Sequence, residues 1–130
     1  MAVMEKVAIL EVDEEINVDG RRIGEIVAEL GETAAQSLLV SALEHLAEAF
    51  RQTMRAAEAG DFAQAVSHLD RLSRLAWQVG LVSLAGVAID VGRCAETGDM
   101  AGFAATLARL SRVVNRSLTE IWDHDLDAEE

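Results

Sequence analysis

The chain has 130 residues and a formal net charge of −12 at pH 7; 51% of its residues are hydrophobic and none is proline. That length suits one domain around a single core, the apolar content excludes a disordered chain, and no apolar run approaches the length of a membrane span. Charge collects at the ends, with −5 in residues 1–19, −5 in residues 123–130 and only −2 between them, so no basic stripe exists and nucleic acid is excluded as a partner.

Residues 1–18 are read as an N-terminal arm. Its segment KVAILEV is rich in β-branched and aliphatic residues, which allows either an extended arm lying along the domain or a strand pairing with a second copy. The start MAVMEKVAIL carries one Lys and one Glu, without the basic stretch and cleavage site of a secretory signal. The single cysteine, Cys94, has no partner for an internal disulfide. Both features fit a cytoplasmic protein, with Cys94 read as a small apolar helix residue.

From Asp19 onward the spacing predicts five helices. The first, GRRIGEIVAEL, is capped by Asp19 and stopped by Gly31. The second opens at Thr33 with Gln36 three residues on, a capping-box pattern. It then runs Leu39, Leu43, Leu46, Phe50 and Met54 along one face to near Gly60. The third, DFAQAVSHLDRLSRLAWQVG, places Phe62, Ala65, Leu69, Leu72, Ala76 and Val79 on an inward stripe. The fourth starts near Ser83, turns Leu84, Val87, Ala88, Val91 and Ala95 inward, and closes at Gly98. The fifth runs from Asp99 to about Trp122 and buries Phe103, Leu107, Leu110, Val114, Leu118 and Ile121. The acidic tail 123–130 is read as a solvated end.

An internal echo links the third and fifth helices. AEAGDFA at 57–63 matches AETGDMA at 95–101, and LDRLSRL at 69–75 matches LARLSRV at 107–113. In each Gly–Asp pair, glycine ends one helix and aspartate caps the next. Short connections between long amphipathic helices predict antiparallel neighbours, hence an all-α, up-down four-helix bundle with a short leading helix.

On the third helix Val66, Asp70, Ser73, Arg74 and Trp77 share about a third of the wheel, away from the core stripe. Tryptophan and arginine on an outward face point to a contact surface, the other reading being that Trp77 packs beneath the second helix or the arm. Arg74, four residues after Asp70, is placed to pair with it. Two residues turn a helix by about 200°, so His68 points nearly opposite Asp70 and flanks the apolar stripe. His45 lies mid-helix near the surface and His124 in the tail. No two histidines share helix-face spacing, so no metal site is expected, nor any other cofactor. Asp90 is isolated, and Gly86 and Gly92 are read as close-packing glycines within the fourth helix.

The segment Asp70-Arg71-Leu72-Ser73-Arg74-Leu75-Ala76-Trp77-Gln78-Val79-Gly80 resembles the histidine phosphotransfer (HPt) family, whose pattern is His-x-Leu-Lys-Gly-Ser-Ala-x-x-x-Gly. Leu72, Ala76 and Gly80 match. The Gly60–Asp61 pair, LAGVAIDVGRCAETGD and the short helix before Thr33 sit where the family has them, so the resemblance covers about residues 19–122. The departures fall on the chemistry. Asp70 stands at the phosphohistidine position, Ser73 at that of the phosphate-steadying lysine, and Arg74 at that of the glycine that lets a partner approach. The resemblance implies a two-component signalling protein that docks a response-regulator receiver domain or a histidine kinase through Val66, Asp70, Ser73, Arg74 and Trp77. It implies no phosphate carried by the protein itself, and so no enzyme activity. The alternatives are an active phosphocarrier using His68, or a structural bundle, with a homodimer as a further possibility.

Overall fold

A computed structural model describes residues 19–129, with side chains described for residues 19–119. Expectations about the arm, Ile121, Trp122 and His124 fall outside the described residues or side chains. The described residues form five helices and no strand: α1 (Gly20–Leu30), α2 (Glu32–Glu58), α3 (Phe62–Gln78), α4 (Val82–Thr97) and α5 (Met100–Glu129). No helix among them is long and apolar enough to cross a membrane.

Local chemistry sets the joints. Asp61 caps α3 by accepting from the Gln64 N–H at 3.1 Å, and the Asp99 carboxylate accepts from the Gly102 N–H at 2.9 Å. The preceding glycines, Gly60 (φ 72°) and Gly98 (φ 74°), adopt the left-handed conformation. At each joint the aspartate N–H reaches back to a helix carbonyl, Asp61 to Ala56 at 2.9 Å and Asp99 to Cys94 at 3.0 Å. The sequence echo is therefore one turn geometry used twice, satisfying carbonyls that a helix end leaves without partners.

The joint at Gly80 has the same reverse turn, with Leu81 N–H donating to the Ala76 carbonyl at 2.9 Å, but no side chain caps α4. Here the start of α1 closes over the turn. Asp19 accepts from the Arg21 and Arg22 N–H groups, its own N–H donates to the Gly80 carbonyl at 2.7 Å, and Arg22 Nε donates to the Gln78 carbonyl at 3.0 Å.

Two boundaries differ from expectation. Helix α2 begins at Glu32, directly after Gly31 (φ 86°), so Thr33 lies inside its first turn and is not the cap. Helix α5 continues through the acidic segment to Glu129. Neither glycine nor proline occurs beyond Gly102 to stop it.

Consecutive helices pack together, and α2 also meets α5, so the four long helices form a closed circuit with α1 against α2. The core is one cluster, including Leu39, Leu43 and Leu46 of α2, Leu69 and Leu72 of α3, Leu84 and Val91 of α4, and Leu110 and Val113 of α5. Phe62 at the start of α3 meets Phe103 near the start of α5 edge to face, with ring centres 5.3 Å apart. Phe50, Phe62, Leu107 and Leu118 are half-buried at the cluster's margin, and so is Cys94.

Candidate functional site

The outward face of α3 follows from its inward one. With Ala65, Leu69, Leu72 and Ala76 buried, residues at Ala63, Val66, Asp70, Arg74 and Trp77 fall on a second stripe. The Asp70 side chain is 64% exposed and its Oδ2 lies 3.4 Å from Nη1 of Arg74, which is 68% exposed. A pair this exposed contributes on the order of 0.5 kcal/mol, so it orients two charges and does little to hold the fold. Trp77 is 66% exposed, which removes the reading in which it packs beneath α2. Asp70 and Trp77 are seven residues apart, about 20° short of two full turns, and so point the same way.

Ser73 is corrected. It is buried, and its hydroxyl donates back to the Asp70 carbonyl at 2.9 Å. It lies about 60° round the helix from Asp70, on the side where α3 and α4 form a groove, so it is not exposed on the outward face with Asp70. His68 is half-buried, and His45 is exposed with Nδ1 3.5 Å from Ser41 Oγ. Among the described residues no three His, Cys, Asp or Glu side chains gather where they could hold a metal ion.

Sequence reasoning missed a groove of about 490 Å³ between α3 and α4. Val66, Asp70 and Ser73 line one wall, and Ile89, Gly92 and Arg93 the other. Ile89 is 51% exposed. Gly92 is buried, yet a Cβ built on it would meet nothing within 4 Å, and the same holds for the exposed Gly86. Neither glycine is there for close packing between helices. At Gly92 the missing side chain leaves space in the groove. Arg93 sits 4.0 Å from Asp90, and Glu96 also lines the groove. The readable signal was Ile89, an apolar residue at the outward spacing Gly86, Ile89, Arg93. The trough mixes the apolar side chains of Val66, Ala88 and Ile89 with Ser67 and the charged Asp70, Arg93 and Glu96.

Comparison with protein-family models, curated proteins and solved structures gives no match to this chain. The likeness to phosphotransfer domains therefore stands on the residues themselves.

Proposed function

We propose that this chain is an HPt-like up-down four-helix bundle that docks a receiver or kinase domain of a two-component system through α3, without carrying phosphate itself. The observation that carries the reading is the exposed carboxylate of Asp70 at the outward position where the resembled family has its histidine. Arg74 braces that carboxylate, and Trp77 stands two turns along on the same face. The closed circuit of four long helices supports the bundle. The Phe62–Phe103 contact supports its up-down sense, since helices two apart in such a bundle start at the same end. A carboxylate can be phosphorylated where a cation-holding cluster of acids surrounds it. Among the described residues Asp70 has no such cluster.

The test is incubation with phosphorylated receiver domains from the source organism, following both binding and label transfer. Binding without label on the chain is expected, and Trp77→Ala should weaken it at least tenfold. Acid-labile label on the chain, lost in His68→Gln, would overturn the reading in favour of a carrier. Absence of binding to every receiver and kinase would leave a structural bundle.

A further inference from the structure

We infer that the acidic segment 11–15 of this chain docks on a row of arginines along α5, closing the arm over the α4–α5 face. Residues 100–119 of α5 contain three arginines and no Asp or Glu. Arg109, Arg112 and Arg116 are all exposed. At about 100° per residue they fall within about 60° of the helix circumference. The expectation of no basic stripe is thus corrected on α5, even though the chain as a whole carries −12.

The row runs along the edge of α5 that meets α4. Gly102, Arg109 and Arg116 recur every seven residues, about 20° short of two full turns, and a Cβ on Gly102 would lie 3.0 Å from Cys94 Sγ of α4. Helices α4 and α5 pack together across the short joint at Gly98 and Asp99, so they run in opposite directions. Arg116 is the seventeenth residue of α5, and α4 is 16 residues long, which sets Arg116 level with the start of α4. The arm joins the described chain at that same end, where the Asp19 N–H donates to the Gly80 carbonyl at 2.7 Å.

Charge and reach select the arm as the occupant. Residues 11–15 read EVDEE, four acids in five positions. In an extended segment Glu11, Asp13 and Glu15 point to one side over about 13 Å, against about 10 Å from Arg109 to Arg116. Glu15 stands four residues before Asp19, about 13 Å of extended chain, which is enough to cross between packed helix axes about 8–10 Å apart. The other acidic run, 123–129, belongs to α5 itself and cannot fold back on it. A separate acidic protein is repelled at long range by a chain of −12, whereas a tethered segment is held at high effective concentration. Each exposed ion pair is weak, so the docking is reversible and loosens as salt is added.

Chymotrypsin cleavage of the full chain after Leu10, followed by mass spectrometry, tests the inference, because docking shields the bond beside Glu11. That bond should be cut at least fivefold more slowly in the chain than in a synthetic peptide of residues 5–18, and high salt should abolish the difference. Arg112→Glu with Arg116→Glu should remove the protection, as should Asp13→Arg with Glu15→Arg, while circular dichroism shows native helicity. All four substitutions together should restore it. An arm cut as fast as the peptide, protection that survives reversal of the α5 arginines, or a folded fourfold variant that stays unprotected would each overturn the inference. Protection that rises with chain concentration would overturn it too, by putting the arm of a second copy on the row. None of these results bears on receiver binding through α3, which is measured separately.

Discussion

The backbone N–H of Asp19 donates to the carbonyl of Gly80 across 2.7 Å, tying the start of α1 to the turn between α3 and α4. Gly80 has φ 82°, and a Cβ there would lie 2.9 Å from the Asp19 carbonyl oxygen and 3.3 Å from Arg22 Cβ. The glycine that aligns with the closing position of the HPt pattern thus has two physical causes here. It allows the left-handed turn, and it leaves room for the chain that crosses it.

Substituting Gly80 by Ala should therefore cost more than the same change at Gly60. Both positions pay the left-handed penalty of about 1–2 kcal/mol, but nothing lies within 4 Å of a Cβ at Gly60. Crowding against Asp19 backbone adds about 1–3 kcal/mol at Gly80. Urea unfolding of the two variants should differ by at least that lower bound, and equal losses would show that α1 does not press on the turn.

Gly92→Ala should stabilise the chain by up to about 1 kcal/mol, since alanine is the better helix former and its methyl group enters empty space. Gly102→Ala offers the contrast. There a Cβ meets the Asp99 carboxylate that caps α5, and Cys94 Sγ at 3.0 Å. Thermal unfolding should show a higher midpoint for the first variant and no comparable gain for the second.

Ser117 is buried in α5, and its hydroxyl has no hydrogen-bond partner among the described residues. An unsatisfied buried hydroxyl is a standing cost, so Ser117→Ala should raise stability by about 1 kcal/mol. The buried Thr53 differs, because its hydroxyl donates to the Ala49 carbonyl at 2.8 Å. A loss of stability in Ser117→Ala on chemical denaturation would mean that the hydroxyl has found a partner.

Glu48 on α2 accepts from the Gln52 amide at 2.8 Å and from Arg51 at 2.7 and 3.1 Å. The Gln52 hydrogen bond first, and Arg51 second, hold its carboxyl below the ordinary value. With the folded pKa lowered, the contribution to stability is present above the ordinary carboxylate pKa and is lost as pH falls through the lowered one. Titration by carboxyl-carbon NMR should give Glu48 a low midpoint that moves upward in Gln52→Ala. An unmoved midpoint would remove the amide as its cause.

Much of this architecture was readable because its causes are local. Gly60–Asp61 and Gly98–Asp99 build their turns from hydrogen bonds within a few residues, and the stripe Ala65, Leu69, Leu72, Ala76 is set by helical repeat alone. The outward placement of Asp70 and its pairing with Arg74 followed from the same arithmetic. Thr33 misled because its capping signal competed with a glycine at the cap position two residues earlier. Ser73 misled because a wheel assigns faces to one helix in isolation and does not know how far the next helix wraps around it.

By itself the sequence determined where helices begin and end at the Gly–Asp joints, which stripes turn inward, and that an acid stands outward at position 70. The tertiary structure alone decided that Ser73 is covered, that α1 closes over Gly80, and that Gly92 opens a groove instead of closing a contact. The division has a physical reason. Capping and periodicity act over one or two turns of chain, whereas burial at a flank and the space beside a glycine depend on how two helices approach each other, which neither helix encodes alone.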